Sequence, residues 1–86
     1  MRDKAYLAVC LDYDEERGEA LMEQRNKMVV GERVEFLTPG RVGAPLEFDA
    51  LYDEEHNEID AARHPYMRFY IRTSTRLKRG DIIRAV

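Results

Sequence analysis

Eighty-six residues, 44% hydrophobic and 36% charged, suffice for one domain but not for a large catalytic cleft with a second lobe. The net charge of −3 is small for so apolar a chain and argues against disorder. No apolar run approaches the roughly 20 residues of a membrane helix, and no basic-then-apolar leader opens the chain.

Period 2 dominates the reading. In Tyr6–Tyr13, Leu7, Val9 and Leu11 form one apolar side, as in a half-buried strand. Asp14–Gly18 reads as a hairpin loop in which Gly18 takes a positive φ. Glu19–Arg25 returns as a second strand, Ala20 and Met22 facing one way, Leu21 and Glu23 the other. Asn26 and Lys27 end it, and Val30-Gly31-Glu32 makes a tight turn. Val34 and Phe36 then alternate with Arg33 and Glu35. Thr38–Ala44, with Pro39 and two glycines, is loop. Leu46–Asp49 alternates again and Ala50–Tyr52 extends it. Asp53–Glu58 is a polar turn, and Ile59–Ala62 is ambiguous between strand and helical turn. His64-Pro65 favours extended backbone at the entry to the next strand. There Met67, Phe69 and Ile71 oppose Tyr66, Arg68, Tyr70 and Arg72. Thr73–Thr75 is a connector, Leu77–Asp81 a turn, and Ile82–Val86 a closing strand. No 3.6-residue periodicity, repeat or linker is present. Six or seven short strands with frequent turn signals predict an all-β fold, a small closed or partly open antiparallel barrel spanning residues 1–86 as a single domain.

Charge is unevenly spread. Residues 32–60 carry nine acidic side chains against Arg33 and Arg41. Residues 61–86 carry Arg63, Arg68, Arg72, Arg76, Lys78, Arg79 and Arg84 against Asp81 alone. Either the basic third pairs with the acidic middle across strands, or it offers a basic face to a polyanion.

Three stretches together resemble a known family. They are Tyr6–Asp14; Glu23–Met28 running into Val30–Glu35; and Ala62-Arg63-His64-Pro65 with the closing Leu77–Arg84. Their order and spacing over residues 4–86 resemble the C-terminal domain of the U32 peptidases, also called collagenase-like proteases. The resemblance implies a barrel similar to the second domain of elongation factor Tu, appended to a larger catalytic domain. It implies peptidase activity or, for some members, RNA hydroxylation, including that of the transfer RNA wobble uridine. That chemistry belongs to the N-terminal part, and no catalytic position of the family has a match here. Cys10 and Met28 stand where aliphatic and aromatic residues are more usual, both volume-tolerant exchanges.

The residues do not assemble a catalytic set of their own. Ser74 lacks a nucleophile elbow, and Cys10 alternates within a strand as a structural thiol does. One cysteine cannot form an internal disulfide, which fits a reducing cytoplasm. His56 and His64 with that one cysteine cannot close a zinc site. The cluster Asp53, Glu54, Glu55, Glu58 and Asp60 does not have calcium-loop spacing. Gly31, Gly40, Gly43 and Gly80 are isolated rather than set as a phosphate cradle. The chain is therefore expected not to be an enzyme by itself, with no catalytic residue, metal or cofactor.

Binding chemistry is better represented. Tyr66, Arg68, Tyr70 and Arg72 place aromatic and cation alternately on one strand face, where bases stack and guanidinium groups neutralise phosphates. Arg25, Asn26 and Lys27, with Lys78 and Arg79 in a turn, extend that surface. The competing reading has the tyrosines covering the barrel wall and the arginines paired with acidic strands. The expected function is an accessory module that positions a macromolecular substrate, RNA being the first candidate. The alternatives are docking to the N-terminal catalytic domain of the same protein, and recognition of a peptide or collagen-like substrate. No membrane partner is expected.

Overall fold

Alternating apolar side chains turn most of the chain into short strands. The computed structural model describes residues 6–31, 33–38, 43–62, 64 and 66–86. The long strands are β1 (Tyr6–Asp14), β2 (Glu19–Gln24), β4 (Val34–Leu37), β9 (Arg68–Arg72) and β10 (Ile82–Ala85). Between them lie β3 (Met28–Val29), β5 (Ala44–Leu46), β6 (Ala50–Tyr52), β7 (Glu58–Ile59) and β8 (Ala61–Ala62). No helix forms among the described residues. Eight strands build one curled antiparallel sheet in the order β5-β4-β10-β1-β2-β9-β6-β7, and β3 pairs with β8 alone. The result is a partly open barrel with β5 and β7 as its edges. Among the described residues ten strands are seen in place of the expected six or seven, because segments of two or three residues are too short to express a period.

The sheet curls around Leu7, Met22, Met28, Leu51, Phe69, Ile71 and Ile83, all fully enclosed. Each such side chain contributes roughly 1.5–3 kcal/mol by leaving water. Three of these come from β2 and β9, where Met22 faces Phe69 across the ladder and Ala20 faces Ile71.

The inward set of β1 differs from the expected Leu7, Val9 and Leu11. Leu7, Ala8 and Cys10 are buried, with Tyr13 packed against the core, while Val9 and Leu11 are half-buried. Two irregularities explain the change. Tyr6 pairs with Arg84 and Ala8 with Ile83, so Leu7 is an extra residue. Likewise Cys10 pairs with Met22 and Asp12 with Leu21, leaving Leu11 extra. Each bulge flips the alternation by one residue.

Turn chemistry follows the expected punctuation. Asp14 Oδ1 accepts the N–H groups of Glu16 (2.9 Å) and Arg17 (3.2 Å), and Gly18 leaves the loop at φ 66°. A side chain would be strained there. Gly80 sits at φ 93° before Asp81, whose buried carboxylate accepts the Lys78 N–H at 2.9 Å. Gly31 also has positive φ, whereas Glu32 of that turn lies outside the described residues, as do Pro39–Val42, Arg63 and Pro65.

Two strand expectations shift. Leu46–Asp49 is not a strand; β5 ends at Leu46, and residues 47–49 cross to β6. That crossing is fastened by the Thr73 hydroxyl donating to Glu47 O and by Asp49 N–H donating to Arg72 O. The strand expected from Tyr66 begins at Arg68, because Tyr66 occupies a turn at φ 60°.

Candidate nucleic-acid interface

Where β2 ends, residues 24–27 meet the start of β1 and the turn before β9. The N–H groups of Arg25 and Asn26 both donate to Leu7 O, at 2.7 and 3.1 Å. Asn26 Nδ2 donates to Tyr6 O at 2.6 Å, and Tyr66 N–H donates to Gln24 O at 3.0 Å. This lattice of backbone bonds, with the Asn26 side-chain amide, holds Tyr6 and Tyr66 on either side of residues 24–26. Both rings face outward, Tyr66 at 69% exposure and Tyr6 at 53%. The Arg25 guanidinium lies 5.4 Å from the Tyr66 ring centroid, a cation–π contact, and also reaches Glu23 at 3.1 Å. Lys27 is exposed beside them, and Arg68 stands opposite Glu23 across the β2–β9 ladder. Among the described residues no ion-pair partner is seen for Lys27 or Arg68. Tyr66, Arg25, Asn26, Lys27 and Arg68 thus come together, and the structure adds Tyr6.

The rest of the anticipated stripe is differently placed. Tyr70 is half-buried and its ring stacks on His56, with centroids 4.3 Å apart and planes 23° from parallel. His56, at φ 64° in the turn after β6, has Nε2 3.2 Å from Glu19 Oε1. Arg72 Nε donates to Asp49 Oδ1 at 2.9 Å. That bond lowers the Asp49 carboxyl below its ordinary pKa and raises the Arg72 guanidinium above its own. Beneath this region Asp12, Asp14 and Glu19 share a small groove with Arg17 and Tyr70. Its character is acidic and self-satisfied, unlike the Tyr66 end.

Lys78 and Arg79 are exposed in the turn before β10, whose Gly80 N–H donates to Cys10 O. Tyr6 pairs with Arg84 at the opposite end of β10, so the turn cations stand apart from the Tyr66 cluster. Cys10 is fully enclosed, and burial pushes its thiol up to about 11. Where β5 passes toward β6, a broad groove of about 940 Å³ opens over Val34, Leu46, Phe48 and Val86, with Arg17 and Arg33 at its margin. No group of three or more His, Cys, Asp or Glu is placed to hold a metal ion among the described residues.

Sequence reasoning did not single out Tyr6 as a binding residue, although an alternation with Leu7, Val9 and Leu11 on the apolar side already leaves Tyr6 on the opposite face. The bulge at Leu7 keeps it outward while Ala8 and Cys10, expected on the same face, turn into the core.

Comparison with known proteins bears on what this surface serves. Residues 2–84 match the model of the peptidase family U32 C-terminal domain. The crystal structure of the C-terminal domain of a Geobacillus thermoleovorans U32 peptidase superposes with a TM-score of 0.85 at 32% identity. It covers 94% of this chain and 91% of that one. Its selenomethionine variant superposes equally well, covering 93% and 98%. A Bacillus subtilis (strain 168) protein named tRNA hydroxylation protein P1 is 37% identical over 60 residues. That stretch is 70% of this chain and 14% of the longer relative.

Proposed function

The chain belongs to the U32 peptidase C-terminal domain family, and from that premise we propose that residues 1–86 form a non-catalytic accessory module that positions RNA for a separate catalytic domain. The observation that carries this reading is the Tyr6–Arg25–Tyr66 cluster: two exposed rings and a guanidinium on a hydrogen-bonded frame, flanked by Lys27 and Arg68. Aromatic faces accept bases and the cations neutralise phosphates. The relative named for tRNA hydroxylation supports RNA as the substrate class. The catalytic step itself is assigned to the rest of the longer protein, in the cytoplasm, with no cofactor held by this module.

Titrating transfer RNA against the chain tests the reading. With about three phosphates neutralised, affinity should fall roughly 15–20-fold between about 50 and about 200 mM salt. Arg25→Ala with Lys27→Ala should weaken binding and flatten that dependence. No binding at low salt would sink the proposal.

A second reading is favoured by the groove over Phe48 and Val86. Its apolar floor suits docking against the catalytic domain, and a docked pair should persist in moderate salt because apolar burial is not screened.

A further inference from the structure

Tyr66 is the most exposed large hydrophobic side chain among the described residues, yet its backbone is among the least relaxed. At φ 60° it occupies the left-handed region that bulky residues avoid, held there by its N–H bond to Gln24 O and by the Met67 N–H bond to His64 O. A turn that needed only to be tight would favour glycine or asparagine. This one instead fixes an aromatic ring outward. Tyr6 is set outward by the β1 bulge and fastened through its carbonyl to Asn26.

The basic footprint around the two rings is short. Along the outer face, past the Glu23–Arg68 pair, β2 and β1 present Glu19, Asp12 and Asp14, and β7 presents Glu58 opposite Tyr52. A rigid duplex laid across the sheet would run its phosphates over these carboxylates. A few flexible nucleotides would not, and unpaired bases alone have free faces for both rings.

Resting on the RNA reading above, we infer that Tyr6 and Tyr66 are stacking platforms for unpaired bases, so that the module takes a short single-stranded RNA segment rather than a duplex.

The test uses labelled oligoadenylate, oligouridylate and the duplex the two form when mixed, each titrated by fluorescence anisotropy at low salt. Either single strand should bind at least about tenfold more tightly than the duplex. Tyr66→Asn, which suits the left-handed backbone, and Tyr6→Ala should each cost about tenfold on the single strands. Tyr66→Phe, which keeps the ring, should retain affinity. Thermal melts by circular dichroism verify folding; if Tyr66→Asn does not fold, Tyr6→Ala and Tyr66→Phe carry the comparison. Equal or tighter duplex binding, or an unchanged affinity in the ring-deleted variants, overturns the inference and leaves the RNA reading standing. Failure of all three RNAs to bind overturns both.

Discussion

Tyr66 and Tyr70 lie four residues apart, each with an arginine two positions later, yet the fold gives them opposite employment. Around Tyr70 the polar groups are consumed internally: His56 covers the ring, Glu19 holds His56, and Asp49 holds Arg72. Around Tyr66, among the described residues, Arg25 is the side chain seen to approach the ring, which remains open to solvent. Residue type decides what a surface could bind; partners already present decide what remains available. A pattern of alternating tyrosine and arginine is therefore insufficient evidence for an interface.

The comparison can be broken most directly at the open end. Combining Tyr66→Asn with Tyr6→Ala should reduce single-stranded RNA affinity about a hundredfold, if the two platforms act independently, with the melting temperature nearly unchanged.

Alkaline titration probes the wall behind both regions. Cys10 has its pKa raised by burial from 9.0 to about 11, so the folded state disfavours the thiolate. That contribution is complete below pH 9 and lost as pH rises through 11, amounting to about 3 kcal/mol. Chemical denaturation across this window should show Cys10→Ala with a flatter alkaline decline than the parent.

Removing the covered ring should do the reverse of removing the open one. Tyr70→Ala forfeits the His56 stack and should cost about 1 kcal/mol, lowering the melting temperature by roughly 4–8 °C, with RNA affinity nearly intact. A large loss of affinity instead would erase the distinction between the two tyrosines.

The smallest effect belongs to Arg72→Ala. Its guanidinium is already engaged by an exposed carboxylate, so stability and RNA affinity should both change little. The Asp49 pKa is depressed, so the support this pair gives is present above the ordinary carboxylate range and fades on acidification through it. Arg68→Ala should weaken RNA more than Arg72→Ala does.

What was legible in the sequence is what rests on local chemistry. The positive φ at Gly18, the inward Ala20 and Met22 of β2, the inward Phe69 and Ile71 of β9, and the polar turn at Asp53–Glu58 all follow from turn residues and alternation. Three features escaped for definite reasons. Bulges at Leu7 and Leu11 change the phase of a pattern whose reading assumes constant phase. Strands as short as β6, β7 and β8 exist only because neighbours pair with them. Tyr66 left the expected strand through a backbone conformation that its residue type does not advertise. The cluster's cations were anticipated; the division between free and engaged aromatics required knowing where His56 and Asp49 fall in space.

The extra residue at Leu7 works as a gear with a single tooth. Before it the outward side chain is Tyr6; after it Ala8 and Cys10 turn inward and Val9 takes the outward phase. Excising one residue there would restore an unbroken ladder with β10 and let the strand persist. Because Ala8 faces the core, its new neighbour Tyr6 would still point outward, so the excision would take Leu7 out of the core and leave the ring open. A length change of one amino acid would thereby spare the ring but remove the Leu7 carbonyl that accepts Arg25 and Asn26, loosening the frame it stands on.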